Sequence, residues 1–462
     1  MEIEKLKQKI LDLAIRGKLV PQDPNDEPAF VLIDRIRAEK EELIKQGKIK
    51  RSKEDSYIYK GSDNCYYEKV GDKTTCINDE IPFEIPNNWT WTRLRNILDV
   101  RDGTHDSPKY HSNGIPFVTS KNLKNGEIDF STCKLITQED ADSFNARSFV
   151  DDKDILFAMI GTIGNPTIVK KDREFAIKNV ALFKNIDINC ISEYWVKLLL
   201  EYMTPFMKKK TSSGLQPFVS LDFLRNYLVP IPPRKTQVSI IQTMLKFETI
   251  VNSIIKSASE LEHSITQIKS KILEEIFGEN SRYKSYYTQT QEKLENIASL
   301  ITKGSTPTSY GFQYVEKGIS FVKVENVHDY HIDHTTIRQF ITEDAHEFQK
   351  RSQLQENDML FSIAGTIGRI CLVKNEDLPA NTNQAFAIIR GYDKILIPSY
   401  LKWYLTWYLN DKSKLSGHGG GMLNITLNDL KKLEVFYPTN KNDQQAIVDR
   451  IENLMNALCR IS

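Results

Sequence analysis

Residues 154–171 read DILFAMIGTIGNPTIVKK, and residues 358–375 read DMLFSIAGTIGRICLVKN. The tetrapeptide GTIG therefore occurs twice, with its two copies 365 − 161 = 204 residues apart. A short apolar, β-branched run stands on each side of both copies, which is typical of two strands joined by a turn. Because this unit returns at a fixed offset with similar flanks, it indicates an internal duplication.

The segments around the two units also align, at or close to the same offset. Their openings correspond from Trp91 (WTRLRNILDVRDGTHDSP) and from Glu292 (EKLENIASLITKGSTPTS). We therefore expect two diverged copies of one domain, each of about 140–150 residues. The other aligned pairs are 114–129 with 318–333, 175–184 with 384–393, and 213–233 with 416–439.

A heptad pattern of apolar residues follows each copy. Its spacings alternate between four and three, and neither Pro nor Gly occurs between Lys235 and Phe277. This pattern predicts a long helix that packs along a coiled-coil seam. The predicted seam consists of Ile240, Met244, Phe247, Val251, Ile254, Ala258, Leu261, Ile265, Ile268 and Ile272, and then of Ile447, Ile451, Leu454, Leu458 and Ile461.

The N-terminal helix resembles the second half of the central heptad helix, since KQKILDLAIRGK (7–18) aligns with KSKILEEIFGEN (269–280). We therefore expect the N-terminal helix to complete the C-terminal one. Two long antiparallel helical elements would then lie side by side, one continuous and one split between the termini. The predicted organisation is circular, with a pseudo-twofold axis that relates two globular domains.

Short β-branched runs and helical runs mix within each copy, so the predicted fold class is mixed α/β. An extension at 19–90 lies outside the repeat, and we interpret it as a decoration of the first copy. The predicted domains are an N-terminal helix (1–18), a first globular domain (19–235, including the extension), a central coiled-coil helix (236–278), a second globular domain (279–442) and a distal helix (443–462).

Composition sets only broad limits on the function. The 462 residues are 40% hydrophobic and 27% charged, with a net charge of +1. This balance neither requires nor excludes a nucleic-acid partner, because a binding face needs only local positive charge. We find no uninterrupted apolar run near the roughly 20 residues of a membrane span, and no signal peptide. Six cysteines without a CxxC pair favour free thiols, so we expect a cytoplasmic protein.

GTIG has two interpretations. Its backbone N–H groups could contact a phosphate or a partner loop, or its glycines could supply the positive φ of a tight turn, which we favour. The sequence contains no GxxxxGK[ST], HExxH or NPP[YF] motif. An enzyme that used nucleotides or methylated adenine by itself would need such motifs, so we predict no catalytic residue.

Several features together resemble the specificity subunit of a type I restriction-modification system. They are the two diverged domains, the central heptad helix, the opening LKQKILDLAIRGKLVPQ, the segment IPNNWTWTRL and the repeated GTIG. The resemblance covers essentially the whole chain. It implies a non-catalytic subunit whose target-recognition domains each read one half of a split DNA site in the major groove.

The resemblance also implies partners. They are double-stranded DNA, two adenine methyltransferase subunits and ATP-driven restriction and translocase subunits, without a membrane. S-adenosylmethionine, ATP and Mg²⁺ are then expected on those partner subunits, and this chain itself binds no cofactor.

Three polar regions in each copy are the predicted DNA contacts: a loop before the first strand, the end of that strand, and a lysine- and glycine-rich segment. Lys suits guanine, Asn suits adenine, and Glu can accept from cytosine. An ordinary solvated loop is the alternative for each region. The candidates are Thr104, His105, Lys109, Tyr110, Ser120, Lys121, Asn122, Lys209 and Gln216 in the first copy, and Ser305, Thr306, Tyr310, Lys323, Glu325, Asn326, His418 and Asn424 in the second.

His328, His331 and His334 lie three apart in HDYHIDH, a spacing that invites a metal interpretation. The aligned segment of the first copy has no histidine, and no cysteine is near, so we predict no metal site. Two further functions remain as alternatives. One is a phosphate- or nucleotide-using enzyme built on GTIG, and the other is a coiled-coil scaffold that binds only protein partners.

Overall fold

The computed structural model describes residues 2–211, 218–410 and 425–460. The chain divides into two compact units, Met1–Ile254 and Ile255–Ser462. The division falls inside a single helix of 44 residues, α7 (Arg234–Phe277). The sequence predicts a separate helical domain over 236–278, whereas each unit contains one part of this helix.

The first unit combines helices with short strands. Its helices are α1 (Glu2–Ile15), α2 (Ala29–Lys45), α3 (Leu94–Ile97), α4 (Gln138–Ser148), α5 (Glu193–Thr211), α6 (Leu221–Asn226) and the first part of α7. Its strands are β1 (Ser56–Lys60), β2 (Tyr66–Val70), β3 (Lys73–Cys76), β4 (Thr90–Arg93), β5 (Leu98–Asp102), β6 (Ile115–Val118), β7 (Leu123–Lys124), β8 (Glu127–Ile128), β9 (Lys134–Ile136), β10 (Ile155–Ala158), β11 (Gly164–Ile168), β12 (Ala176–Ile177), β13 (Val180–Asn185) and β14 (Leu228–Ile231).

Two sheets form the centre of the first unit. One is antiparallel in the order β11-β10-β13-β5, and the other has the order β12-β6-β9, in which β12 and β6 are parallel. The pairs β4–β14 and β7–β8 complete the domain, while β1-β2-β3 form a small sheet in the extension. Strands β10 and β13 are apolar and buried almost throughout, as expected for strands covered on both faces.

The second unit contains the rest of α7 and its own helices and strands. The helices are α8 (Leu294–Ile297), α9 (Glu343–Phe348), α10 (Pro398–Asn410), α11 (Leu427–Lys431) and α12 (Lys441–Cys459). The strands are β15 (Gln289–Lys293), β16 (Leu300–Lys303), β17 (Ile319–Val322), β18 (Val327–His328), β19 (His331–Ile332), β20 (Phe340–Ile341), β21 (Met359–Ser362), β22 (Ile370–Leu372), β23 (Ala380–Thr382), β24 (Phe386–Arg390) and β25 (Glu434–Pro438).

The strand orders of the second unit repeat those of the first. The sheet β16-β24-β21-β22 corresponds to β5-β13-β10-β11, and β20-β17-β23 corresponds to β9-β6-β12 with the same parallel pair. The pairs β15–β25 and β18–β19 correspond to β4–β14 and β7–β8. The duplication that the sequence predicts is therefore present strand by strand, and the extension sheet is the addition in the first unit.

A buried glutamine joins the first turn of α7 to the first domain. Gln237 is fully buried, and its Oε1 accepts a hydrogen bond from the Ser192 N–H at 3.0 Å. Its Nε2 donates to the carbonyl oxygens of Cys190 at 3.0 Å and Pro232 at 3.2 Å. Three bonds to two separate loops fix the start of the helix against the domain.

Gln444 makes the same connection in the second unit. It lies in the first turn of α12, is fully buried, and accepts from the Ile397 N–H at 2.9 Å. Its Nε2 donates to the carbonyl oxygens of Ile395 at 3.0 Å and Pro438 at 2.9 Å. The two helices that follow the domains are thus attached by one shared hydrogen-bond pattern.

Each domain also carries a second helix on its α5 or α10 face. In the first unit Tyr202 Oη on α5 donates to Asp12 Oδ1 on α1 at 3.4 Å. In the second unit Trp407 Nε1 on α10 donates to Glu274 Oε2 on α7 at 2.7 Å. The alignment of 7–18 with 269–280 brings Asp12 onto Glu274, so α1 occupies in its unit the place that the end of α7 occupies in the other.

A buried aspartate ion pair is likewise repeated beside the central sheet. Asp154 binds Lys184 at 2.5 Å, and Asp358 binds Arg390 through both carboxylate oxygens at 2.6 and 2.7 Å. Burial raises the pKa of Asp154 and of Asp358, although the cations oppose this shift. Each carboxylate also accepts a backbone N–H three residues earlier, which closes the turn before β10 or β21.

The GTIG segments form tight turns. Gly161 and Gly365 have φ of 73° and 76°, in the left-handed region that favours glycine. A Cβ on Gly164 would lie 2.7 Å from Thr204 of α5, and one on Gly368 would lie 2.7 Å from Leu409 of α10. The first glycine therefore turns the chain and the second admits the neighbouring helix, as the favoured interpretation predicts.

The heptad residues are only partly covered. Ile240, Met244, Val251, Ile265, Ile447 and Ile451 are buried, Phe247, Ile272 and Leu458 are partly buried, and Ile254, Ala258, Leu261, Ile268 and Leu454 are exposed. Ile461 lies outside the described residues. By length and composition alone, the helical segment Arg234–Ser285 could cross a membrane, with an 18-residue window of mean hydropathy 1.2. One such helix is weak support for a span, and heptad spacing accounts for the same apolar content.

Candidate nucleic-acid interface

Polar side chains gather where three segments of the first unit meet. Strands β6 and β12 are parallel neighbours with Val118 opposite Ile177, so the residues after them lie side by side. The loop after β5 joins them, since the Thr104 N–H donates to the carbonyl of Ile177 at 3.1 Å. We call this group the first polar cluster, which consists of Thr104, His105, Ser120, Lys121, Lys178 and Asn179.

Glycine lets the loop approach so closely. A Cβ on Gly103 would lie 2.3 Å from the carbonyl oxygen of Ile177, and one on Gly304 in the second unit would lie 2.2 Å from that of Thr382. Real Cβ atoms do not come so near a backbone oxygen. Glycine is therefore required at both positions for the two clusters to form.

The imidazole of His105 is at the centre of the first polar cluster. Its Nδ1 lies 2.6 Å from Asn179 Oδ1, and its Nε2 lies 3.1 Å from Asp102 Oδ2. Ser120 Oγ donates to the carbonyl of Asn179 at 3.3 Å. The His105 side chain is nevertheless 60% exposed, and Lys121 is exposed beside it. The cluster is thus held in place by protein contacts while it faces solvent.

The second unit forms an equivalent group at the same strand ends. The Ser305 N–H donates to the carbonyl of Thr382 at 3.0 Å, and β17 and β23 are parallel with Val322 opposite Thr382. Thr306 Oγ1 donates to Gln384 Oε1. We call this group the second polar cluster, which consists of Ser305, Thr306, Lys323, Glu325, Asn383 and Gln384.

The two clusters share positions and differ in chemistry. His105 follows Gly103 by two residues and contacts Asn179, which lies two residues after the end of β12. Thr306 follows Gly304 by two residues and contacts Gln384, two residues after the end of β23. An imidazole–carboxamide pair in one copy therefore corresponds to a hydroxyl–carboxamide pair in the other. Such side chains can donate to and accept from base edges.

Asn122 and Asn326 have a different role from the predicted one. Each is 4% exposed, and its Oδ1 accepts the backbone N–H of Thr119 at 2.9 Å or of Lys323 at 2.8 Å. Their Nδ2 groups donate to neighbouring loop atoms, including Thr132 Oγ1 in the first unit. Because these amides already stabilise short turns, we correct the prediction that they read bases.

Lys178, Asn179, Asn383 and Gln384 are cluster residues that sequence reasoning missed. They follow the short strands β12 and β23, within segments interpreted only as β runs. They could have been identified by predicting that β12 and β23 pair in parallel with β6 and β17. That pairing brings residues after two distant strands to one edge of the sheet.

The other candidates lie around or away from the clusters. Lys109 is exposed, Tyr110 is 41% exposed with Lys134 Nζ 4.1 Å from its ring centre, and Tyr310 is 53% exposed beside Phe348. Lys209 is exposed near the end of α5. The candidates outside the described residues are Gln216, His418 and Asn424.

The fold pairs two of the three spaced histidines and gives the third a partner elsewhere. His328 and His331 face each other across the β18–β19 hairpin, while His334 Nε2 lies 2.8 Å from Asp377 Oδ1. Within the described part of the chain, no group of three or more His, Cys, Asp or Glu could hold a metal ion. A surface hairpin is the interpretation that these contacts favour.

Two copies of one α/β domain, each with a solvent-facing polar cluster at the same strand ends, define a duplicated recognition protein. A family model described as "Type I restriction modification DNA specificity domain" matches residues 86–263 and 288–461. The chain belongs to this family. Both matched segments contain a polar cluster, whereas the extension before residue 86 lies outside the match.

Curated relatives agree with this family. The chain is 30% identical over 276 residues to the type I restriction enzyme EcoAI specificity subunit of Escherichia coli, covering 58% of this chain and 42% of that protein. It is 31% identical over 257 residues to the EcoEI specificity subunit of the same species, covering 53% and 39%. The chain thus spans about two fifths of the length of these relatives.

A solved structure shows a similar fold. It comes from a study of complex assembly and conformational transition of the type I R-M system, and it matches with a TM-score of 0.61. The identity is 18%, and the match covers 82% of this chain and 93% of that chain. At this identity the likeness concerns the fold, which is mixed α/β as the sequence predicts.

Proposed function

We propose that this chain is a DNA specificity subunit of a type I restriction-modification complex. Each target-recognition domain reads one half of a split DNA target through its polar cluster, and the helices hold the two readers apart. The chain has no catalytic role of its own. Its family membership supports recognition of a DNA target in general.

One observation carries the proposal. The same strand ends and the same glycine-dependent loop recur in both domains, while the partly or fully exposed residues on them change from His105 and Asn179 to Thr306 and Gln384. A protein that reads two different half-sites needs a shared frame with different hydrogen-bonding groups. A catalytic pair of domains would instead need the same reactive groups in each copy.

We further propose that the helices act as a spacer. Helix α7 has 44 residues, about 66 Å at a rise of about 1.5 Å per residue. We propose that α12 and α1 together form the second, split strut of a circular arrangement. The equivalent glutamines Gln237 and Gln444, and the equivalent contacts of Asp12 and Glu274, support this because they attach both kinds of helix in the same way.

The remaining parts of the proposal concern partners and location. Two methyltransferase subunits and the restriction and translocase subunits assemble on this chain and bind S-adenosylmethionine, ATP and Mg²⁺. Exposed apolar residues on α7 outside the predicted seam, such as Ile250 and Ile255, support protein docking along the helix. The complex acts in the cytoplasm, where its DNA substrate is found.

The decisive experiment is methylome sequencing of the host with and without this gene, followed by footprinting of the assembled methyltransferase complex. We expect loss of one methylated, bipartite motif and protection of two half-sites with an unread spacer. A contiguous site would contradict the proposal. Binding of ATP or S-adenosylmethionine by the isolated chain would favour the enzyme alternative, and assembly without any sequence preference in DNA would favour a protein-only scaffold.

A further inference from the structure

The extension forms a cleft with the first recognition domain. The loop after α2, residues 47–52, lies across a cavity of about 900 Å³ from strand β5, the end of α4 and helix α6. Eight basic and three acidic side chains line this cavity, so its charge favours an anion. We call it the basic cleft and define it by Lys48, Lys50, Arg101, Arg147 and Arg225.

Among the described residues, three of these cations have no carboxylate partner. Lys48 and Lys50 are exposed, and neither side-chain ammonium group forms a hydrogen bond or ion pair with a described residue. Arg225 donates from Nε and Nη2 to the carbonyl oxygen of Val100 at 3.1 and 2.6 Å, so its charge is not neutralised. The excess of positive charge is therefore real and local.

The position of the loop is fixed by Arg101. Its Nη2 donates to the carbonyl of Lys48 at 3.4 Å, its Nη1 donates to the carbonyl of Arg147 at 3.1 Å, and Asp99 holds its Nε at 2.8 Å. Arg101 thus joins the extension loop, the end of α4 and strand β5. Lys48 and Lys50 therefore lie on a loop that these hydrogen bonds hold against the domain. Arg101 acts as a positioning residue.

The basic cleft continues from the first polar cluster. Asp102 accepts Nη2 of Arg147 through Oδ1 and lies 3.1 Å from His105 Nε2 through Oδ2. One carboxylate therefore separates a residue of the cleft from a residue of the cluster. A polyanion that crosses the cluster can reach the cleft without leaving the surface of this unit.

We propose that the basic cleft binds the sugar–phosphate backbone of duplex DNA just outside the half-site read by the first domain. This rests on the proposed function and adds a contact that has no equivalent in the described part of the second domain. There, Glu295 aligns with Arg95 of the cleft wall, and 11 residues (278–288) separate α7 from β15, in place of an extension. The flanking contact is consequently one-sided.

The test measures how the assembled methyltransferase complex binds duplexes that carry the methylome-derived site. One duplex has long flanks, and two others are trimmed close to one half-site or the other. The variant is Lys48→Ala/Lys50→Ala, and the control is Lys69→Ala/Lys73→Ala, which removes two exposed lysines from strands β2 and β3 of the same extension. Anisotropy titrations over a range of salt concentrations give the affinities.

We expect trimming on one side only to weaken binding of the wild-type complex. The double alanine variant should remove this dependence and lower the slope of log affinity against log salt by about 1.8, since each phosphate contact contributes about 0.9. Sequence preference and the control variant should be unchanged. Equal slopes and equal flank dependence for variant and wild type would overturn the proposal.

Two further outcomes separate this proposal from others. If the variant binds DNA normally but assembles poorly with partner subunits, the cleft binds protein and the DNA assignment is wrong. If the wild-type complex has no bipartite site at all, the proposed function fails first, and the loss is visible before any variant is compared.

Discussion

The two recognition domains have the same residue types at positions where a substitution would destabilise the fold. They differ at solvent-accessible positions, where a substitution changes stability little. Gly103 and Gly304 prevent a clash with a carbonyl oxygen, and Gln237 and Gln444 satisfy buried backbone groups. The cluster positions after those glycines are at least partly exposed and carry different side chains. Buried and backbone-limited positions thus maintain one frame, while exposed polar positions are free to acquire a new specificity.

The extension is the second difference between the domains. It adds helix α2, a small sheet and one side of the basic cleft to the first unit. Lys48 and Lys50 lie outside the segments that match the family model, whereas Arg101, Arg147 and Arg225 lie inside the first of them. Two duplicated domains that bind the halves of a split DNA target can therefore differ in their affinity for their own half-sites.

The largest effect is expected from changing the spacer. Inserting seven residues in α7 and seven at the matching place in the split helical element should lengthen the tolerated DNA spacer by about 10 Å, or about 3 base pairs. Binding to the original site should fall toward the non-specific level, by about 10³-fold or more. Methylome sequencing of cells with this variant measures the length of the new DNA spacer. An unchanged length would refute the proposal that the helices set the distance between the two half-sites.

A similarly large but local effect is expected from Gly103→Ala. The added Cβ meets the Ile177 carbonyl, so the loop must move or the domain must lose about 3 kcal/mol, as for a severe overpacking change. Gly304→Ala should do the same in the second domain. Gly126→Ala is the control for a glycine whose added Cβ meets nothing within 4 Å; its φ of 77° is left-handed, unlike that of Gly103 or Gly304, so any cost there comes from backbone strain and not from a clash.

Thermal denaturation and half-site binding measure both glycine variants. Each should impair its own half-site and leave the other recognisable. If Gly103→Ala behaves like the Gly126→Ala control, close approach of the loop is not a condition for the first polar cluster.

The sequence predicts the duplication well because repeated strands, turns and heptads are local patterns. The GTIG turn is predicted for the same reason, since positive φ at glycine depends on neighbours in the chain. Asn122 and Asn326 were misassigned because their hydrogen-bond partners are nearby loop atoms, which a list of base-reading residue types does not reveal. The placement of Lys178 and Asn179 in the cluster depends on the parallel pairing of β6 with β12. This is a long-range contact that cannot be predicted from a single sequence.

A moderate effect is expected from Gln237→Leu and Gln444→Leu. Each change leaves one backbone N–H and two carbonyl groups without their buried partner, at a cost of about 2–3 kcal/mol of unfolding free energy. The costs should be similar, because both glutamines make the same three backbone hydrogen bonds, although Gln237 also accepts from Arg234 Nη1 at 3.3 Å. Gln242→Leu on the exposed face of α7 is the matched control and should be nearly neutral.

Chemical denaturation gives these free energies. Markedly unequal costs would show that the two helices are not attached equivalently, and would weaken the argument for a symmetric spacer. A stable variant that nevertheless tolerates several spacer lengths would instead show that the glutamines provide rigidity.

The smallest expected change is in the free energy of binding to one half-site, and it tests the function most directly. Replacing His105 by Thr and Asn179 by Gln transfers the pair of the second cluster, Thr306 and Gln384, into the first domain. If these positions read bases, the preference at one half-site should shift by about 1–3 kcal/mol per contacted base pair, while the other half-site stays the same. His111→Thr is the control, since His111 is exposed but outside the polar cluster. Selection from a randomised duplex library measures both half-sites at once: a shift in neither would remove this pair from the readers, and a shift in both would mean that the two clusters do not act on separate halves.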